Sequence, residues 1–260
     1  MRVTLVTGAS SGIGHALAGR LGCAGQPVAL LARRAARLQE LAKEIEAAGG
    51  RALAVPADVT DRASVEAAVA QVEERLGPVT CLVANAGGGE PTFVDDFDPA
   101  AFQATIELNV GGVVNCIAAV LPSMLARGEG HLVATGSLAG VRGLPSAAAY
   151  SAAKAAVDKL MESLRIDLRG RGVAVTVIAP GPVRLKATSK KSRLFSIGVD
   201  DAARKIERAI TQHKRRSSFP LGIAWAVRGA SWLPAPLYEA LLAGRGRKPK
   251  RSSGRDPRGA

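Results

Sequence analysis

Tyr150 and Lys154 stand four residues apart in the run Tyr-Ser-Ala-Ala-Lys, at the head of a stretch in which Val157, Leu160, Met161, Leu164 and Leu168 recur at i, i+3, i+4 spacing. That period predicts a helix over about 148–169 with one buried stripe. A separation of four places the phenol and the ammonium on the same face, one turn apart. A nearby cation favours phenolate over phenol, which would lower the Tyr150 pKa from its ordinary value of about 10. The pair is therefore a candidate acid/base device. Alone, Tyr-x-x-x-Lys says little, because an exposed lysine below an interfacial tyrosine satisfies it equally. Two other polar residues stand where something must account for them. Ser137 follows the strand-like run His131–Thr135, so its hydroxyl falls at a strand's carboxyl end, where α/β sheets keep their ligand crevice. Asn109 interrupts a long apolar helical pattern over about 101–127, a setting that disfavours asparagine.

The elements that must position these groups begin at the N-terminal side of the sequence. Val3–Thr7 reads as a strand; it runs into Gly8-Ala9-Ser10-Ser11-Gly12-Ile13-Gly14 and then a helix to about Cys23. Strand, glycine turn and helix aim backbone N–H groups at a phosphate. The spacing G-x-x-x-G-x-G differs from G-x-G-x-x-G, although close backbone approach serves both, and an ordinary tight turn is the alternative. A second strand, Pro27–Ala32, ends at Arg33-Arg34 with no acid there. In a dinucleotide fold that point reaches the adenosine ribose, where guanidinium groups suit a 2′-phosphate, so the site reads as taking NADP(H) in preference to NAD(H). A solvated basic helix start is the alternative, and an unfavourable one for the helix dipole. A third strand, Ala52–Pro56, leads to Asp58-Val59-Thr60, where Asp58 could accept from an adenine amino group while Thr60 or Asp61 caps the next helix, which runs through Leu76.

Val79–Ala84 is wholly apolar, as a strand buried on both faces should be, and ends in Asn85-Ala86-Gly87-Gly88-Gly89. After the Tyr150/Lys154 helix, Val173–Ala179 gives a sixth strand ending in Pro180-Gly181-Pro182-Val183. The alternation predicts an α/β fold of Rossmann type, a doubly wound parallel sheet of about seven strands with helices on both faces.

Composition narrows the class. A chain of 260 residues with 47% hydrophobic content can bury a large core, and residues 1–243 read as one domain. Cys23, Cys81 and Cys116 form no C-x-x-C pairing, which argues against a disulfide framework or a zinc site and for a reducing, cytoplasmic setting; no metal is expected. The sequence enters a strand at once, leaving no room for a signal peptide, and no window holds 18 uninterrupted apolar residues. The net charge of +13 is unevenly placed: residues 1–183 hold 16 Lys and Arg against 17 Asp and Glu, and residues 184–260 hold 19 against 5.

Thr7-Gly8-x-x-x-Gly12-x-Gly14, Asn85-Ala86-Gly87, Ser137, Tyr150-x-x-x-Lys154 and Pro180-Gly181 occur in this order, and jointly the chain resembles the short-chain dehydrogenase/reductase family over about residues 2–185. The resemblance implies an oxidoreductase moving hydride between a nicotinamide and a carbonyl or secondary alcohol. It implies that Tyr150 is the proton donor in reduction or the base in oxidation, that Lys154 lowers the Tyr150 pKa and holds the nicotinamide ribose, and that Ser137 bonds the substrate oxygen. Asn109 would kink its helix and hold a water serving Lys154. Gly8, Ser10, Ser11, Gly12, Ile13 and Gly14 would line the pyrophosphate turn, Asp58 and Val59 the adenine, and Asn85, Ala86, Gly87, Pro180, Gly181 and Val183 the ribose and nicotinamide. Relatives commonly form homodimers or homotetramers. Many place a threonine two residues beyond that valine; here Leu185 stands there, with Thr188 the nearest hydroxyl, so that contact is not carried over. None of His15, His131 and His213 falls at the site.

The C-terminal part varies most in this fold. Residues 184–200 occupy the place of a substrate lid, or form a solvated basic loop. Asp200-Asp201 start a helix to about Lys214, and the segment 219–243 carries Trp225 and Trp232 between the basic runs 214–216 and 245–251. Such a segment could lie on an anionic membrane surface, pack over the substrate pocket, or meet another subunit. Residues 244–260 read as a disordered cationic tail, with nothing in them that marks a nucleic-acid module. An apolar or lipid-like substrate is expected; the competing expectation is a nucleotide-binding module that docks a partner through this basic part with little catalysis.

Overall fold

The computed structural model describes residues 3–184 and 196–244. Seven strands form one parallel sheet: β1 (Val3–Thr7), β2 (Val28–Ala32), β3 (Ala52–Pro56), β4 (Val79–Ala84), β5 (Gly130–Thr135), β6 (Val173–Pro180) and, after two short strands β7 (Val183–Arg184) and β8 (Ile197–Gly198), β9 (Arg216–Phe219). Their order is β3-β2-β1-β4-β5-β6-β9, and every pairing is parallel. Parallel strands need covering on both faces. Val3, Leu5, Ala29 and Leu31 point into one core, and Val6, Val28 and Leu30 into the other, following the two-residue period of a strand.

The first core is closed by α3 (Arg62–Leu76), α5 (Gly112–Arg127) and α6 (Ala148–Asp167), the second by α1 (Gly12–Cys23), α2 (Ala35–Ala47) and α7 (Val199–Thr211). Arg20 of α1 donates through Nε and Nη2 to Glu207 of α7, fixing the last of these helices to the first. The winding reverses between β1 and β4, so a crevice must open at the carboxyl ends of those two strands.

Three departures from the sequence expectations bear on function. The helical region expected over 101–127 starts at Pro99, behind an Asp98 side chain that accepts from Ala100 N and Ala101 N, and comprises α4 (Pro99–Ile106), a π-helical turn over Glu107–Gly111, and α5. Taken together, Pro99–Arg127 is long and apolar enough to cross a membrane by composition, yet its Val113, Cys116, Ile117, Val120 and Met124 lie in the core against the sheet. The basic run 214–216 is a surface flank only in part: Lys214 and Arg215 are exposed, whereas Arg216 opens β9 and pairs with Asp158 at 3.0 Å, and Phe219, grouped from sequence with the apolar C-terminal segment, is fully buried at the end of that strand. Finally, 220–243 folds as two short helices, α8 (Leu221–Ser231) and α9 (Ala235–Leu242), broken at Pro234. The proposed lid and the Leu185 and Thr188 positions fall mostly or wholly within 185–195, and the cationic tail within 245–260, outside the described residues.

Candidate active site

The glycine turn between β1 and α1 is built by contacts that only glycine permits. Gly8 and Gly12 adopt φ of +68° and +60°, and a Cβ on Gly14 would stand 2.5 Å from Gly8 O and 2.6 Å from Asn85 Nδ2. Thr7 ties this turn to the end of β4: its Oγ1 accepts from Asn85 N and Ala86 N at 3.0 and 2.9 Å, and its carbonyl accepts from Asn85 Nδ2 at 3.1 Å. Thr135 Oγ1 then donates to Asn85 Oδ1 at 3.3 Å, so a single asparagine locks the carboxyl ends of β1, β4 and β5 together.

A cleft of about 200 Å³ beside the turn is lined by Gly8, Ser10, Arg33, Arg34, Asp58, Val59, Ala86 and Gly87, eight residues expected from sequence, together with Ala32, Ala57 and Leu108, which were not. Ser11, Gly12, Ile13, Gly14 and Asn85, expected at the same site, do not line this cleft. The two arginines behave differently. Arg34 folds across the turn, donating through Nε and Nη2 to Ser10 Oγ and through Nη2 to Ser11 Oγ. The Arg33 side chain is 77% exposed, with Nη1 3.8 Å from Asp58 Oδ2. Asp58 Oδ1 is occupied by Thr60 N and Thr60 Oγ1, which with Arg33 hold its carboxyl below the usual range despite some opposing desolvation. Asp61, not Thr60, caps α3.

Behind Gly87 lie Asn109 and Lys154, both buried; a Cβ on Gly87 would stand 2.7 Å from Asn109 Oδ1 and 3.1 Å from Lys154 Nζ. The π-helical turn accounts for the mid-helix asparagine: the extra residue turns Asn109 inward, where Nδ2 donates to Gly88 O and Thr105 O and Oδ1 accepts from Gly88 N. Lys154 donates to Thr135 O at 2.8 Å. Burial pushes its pKa down to about 8, against an upward pull from Asp158.

Tyr150, one turn earlier on α6, shares a second pocket of about 700 Å³ with Ser137 and Gly181. Ser137 Oγ accepts from Ala139 N at 3.1 Å and donates to Pro180 O at 3.4 Å, holding the hydroxyl at the pocket's inner end. The expectation that Lys154 lowers the Tyr150 pKa is corrected. Burial pushes the phenol up from its ordinary value, and the group that draws it partly back is Ser137, through a side-chain hydrogen bond. The Lys154 ammonium sits 5.6 Å from the phenol ring's centroid with its hydrogen bond aimed at the sheet, and burial has weakened its own hold on the proton. Val183 stands apart from both cavities, half-buried in β7 and paired with Ile197.

The outer wall of this pocket is the C-terminal segment: Ile223, Ala226, Val227 and Ala230 of α8 and Tyr238 and Leu242 of α9. Of the three placements open to the segment from sequence, packing over the pocket is therefore satisfied by one of its faces. Arg142 holds it there, donating to Ala230 O and Leu233 O at 3.1 and 2.9 Å with its guanidinium 3.9 Å from the centre of the Tyr238 ring, whose hydroxyl donates to Gly143 O. No period or motif marks Arg142 in the sequence; its partners are about 90 residues away.

The family model of the short chain dehydrogenases matches residues 2–194. An uncharacterized oxidoreductase of Myxococcus xanthus is 41% identical over 241 residues, 92% of this chain and 95% of that protein. Among solved structures, an alcohol dehydrogenase from Thermococcus sibiricus in complex with 5-hydroxy-NADP superposes with a TM-score of 0.76 at 29% identity, covering 84% of this chain and 96% of that one. A short chain dehydrogenase/reductase from Burkholderia phymatum in complex with NAD gives 0.79 at 28% identity, covering 87% and 92%.

Proposed function

This chain belongs to the short-chain dehydrogenase/reductase family and is an oxidoreductase of the NAD(P)-binding kind, and from that premise we propose that it reduces the carbonyl group of an apolar substrate with NADPH. The observation that carries this reading is the meeting of Ser137 and Tyr150 at the inner end of one apolar pocket, with Lys154 a turn behind. The residues present fit a dinucleotide. The turn over residues 8–14 has no room for side chains at the glycines that approach Asn85, and the Lys154 ammonium has three N–H groups of which one is engaged by Thr135 O, leaving two for ribose hydroxyls. Arg33 and Arg34 at the end of β2, with no acid in that turn of sequence and only a loose 3.8 Å pairing of Arg33 with Asp58, support the phosphorylated cofactor. When bound, the nicotinamide supplies the hydride.

The chain's own residues then have three tasks. Ser137 and Tyr150 hydrogen-bond the substrate oxygen and stabilise the negative charge that develops on it. Tyr150 Oη gives up its proton to that oxygen; burial pushes the phenol up from its ordinary value, so it holds the proton that it donates. Lys154 and Asn109 position the cofactor side of the site through Gly87 and Gly88. The wall formed by α8 and α9 excludes water and selects an apolar body next to the carbonyl.

The test is Tyr150→Phe. Loss of the general acid is expected to lower turnover of a good ketone roughly 10²- to 10⁴-fold while NADPH affinity, read by fluorescence titration, stays within a few-fold. Retention of full turnover would remove Tyr150 from the proton-donor role.

A further inference from the structure

Helices α8 and α9 each carry two apolar faces, and only one of each is used by the pocket. On α8, Ile223, Val227 and Ala230 face the pocket, whereas Leu221, Trp225, Arg228 and Trp232 recur at i, i+4, i+7, i+11 and fall on the opposite side. Leu221 is 65% exposed, Trp225 70% and Trp232 88%. On α9, Tyr238 and Leu242 face inward while Leu237 and Leu241, also four apart, lie outward about half exposed. Five large apolar side chains exposed within these two adjacent helices exceed the scattered exposure expected of a monomer's surface. Arg216 and Arg228 stand beside Trp225, lining a small cavity of about 170 Å³ with it.

We propose that this face docks on the surface of an anionic lipid bilayer, with Trp225 and Trp232 seated at the headgroup level. Charge chooses between a bilayer and a second copy of the chain. Among the described residues from 214 onward, Lys214, Arg215, Arg216 and Arg228 stand against one acid, Glu239. Two such faces would repel each other, whereas anionic headgroups attract Arg216 and Arg228 beside Trp225 and the exposed Lys214 and Arg215. Tryptophan suits this position because its ring is apolar while its N–H can meet the wet headgroup layer. Docking in this way sets the outer face of the pocket wall against the bilayer. The docking itself does not depend on that reading of the pocket.

The chain's two tryptophans both belong to this face, so intrinsic emission reports on it alone. The full chain is titrated with vesicles of phosphatidylcholine mixed with phosphatidylserine, and of phosphatidylcholine alone, reading Trp emission and co-sedimentation. The expected result is a blue shift and sedimentation with the phosphatidylserine vesicles only, weakened by raised salt. Trp225→Ser/Trp232→Ser, both exposed and outside the catalytic and cofactor-binding residues, is expected to reduce vesicle partitioning about tenfold or more while ketone turnover in solution is unchanged. Absence of binding, equal binding to phosphatidylcholine alone, or a blue shift without vesicles accompanied by doubled mass would each overturn the proposal, the last assigning the face to a second copy. None of these outcomes touches the Tyr150→Phe result, so the two readings fail independently.

Discussion

Tyr150 and Lys154 are carried out of water by the same helix, and each responds by favouring its neutral form. For Lys154 this has a measurable sign. Its pKa is about 8 in the folded chain against an ordinary 10.5, so below pH 8 the fold bears the cost of a buried ammonium, and between about 8 and 10.5 that cost disappears as the folded form loses its proton first. Lys154→Met should therefore stabilise the cofactor-free protein at pH 7, and the gain should shrink across that window, as denaturant unfolding at a series of pH values would show. The arginines at the end of β2 are separable by the same kind of reasoning. Arg34 is braced by Ser10 and Ser11, whereas Arg33 is extended and paired only loosely with Asp58. Replacing both with alanine should weaken NADPH about tenfold or more, the scale of one lost charge-assisted hydrogen bond, and leave NADH within a few-fold. Tighter NADH than NADPH binding by the unaltered protein would refute their assignment.

At the scale of elements, the site depends on how closely α1 and the end of β4 approach β1, and the π-helical turn approaches the glycines after β4. Gly14→Ala introduces a Cβ 2.5 Å from Gly8 O, and neither backbone can yield without moving α1 from its strand. A stability loss of about 1–3 kcal/mol is expected, as for overpacking elsewhere, with a disproportionate loss of cofactor affinity; thermal unfolding and nucleotide titration on the same sample separate the two. The π-helical turn is the element that sequence periodicity misses, because one inserted residue shifts the phase of a helix without breaking its apolar pattern. Asn109 was nevertheless visible as a polar residue out of place. What it does, bridging Thr105 and both backbone groups of Gly88, required the turn itself.

At the scale of the whole molecule, substrate choice follows from a pocket whose inner end is polar and whose walls come from helices at the other end of the sequence. Adding methylenes to a ketone should raise kcat/KM about fourfold each, near 0.8 kcal/mol per buried CH₂, until the pocket of about 700 Å³ is filled. A flat series would mean that the chain beyond the carbonyl lies elsewhere. Arg142 is the link that makes this pocket a property of the molecule, since it fastens α8 and α9 to the loop after β5.

The strand-helix alternation, the glycine turn, Ser137 and the Tyr150/Lys154 pair were legible because each is local: a period, a spacing or a backbone conformation that neighbouring residues alone impose. β9 was hidden, since Arg216 and its neighbours look like a charged surface until Asp158, 58 residues away, supplies the countercharge. The direction of the Tyr150 shift, the sharing of Asp58 between Thr60 and Arg33, and the two-faced roof of α8 and α9 were likewise decided only on folding. Desolvation and long-range pairing depend on what the rest of the chain brings alongside, and no local spacing encodes that.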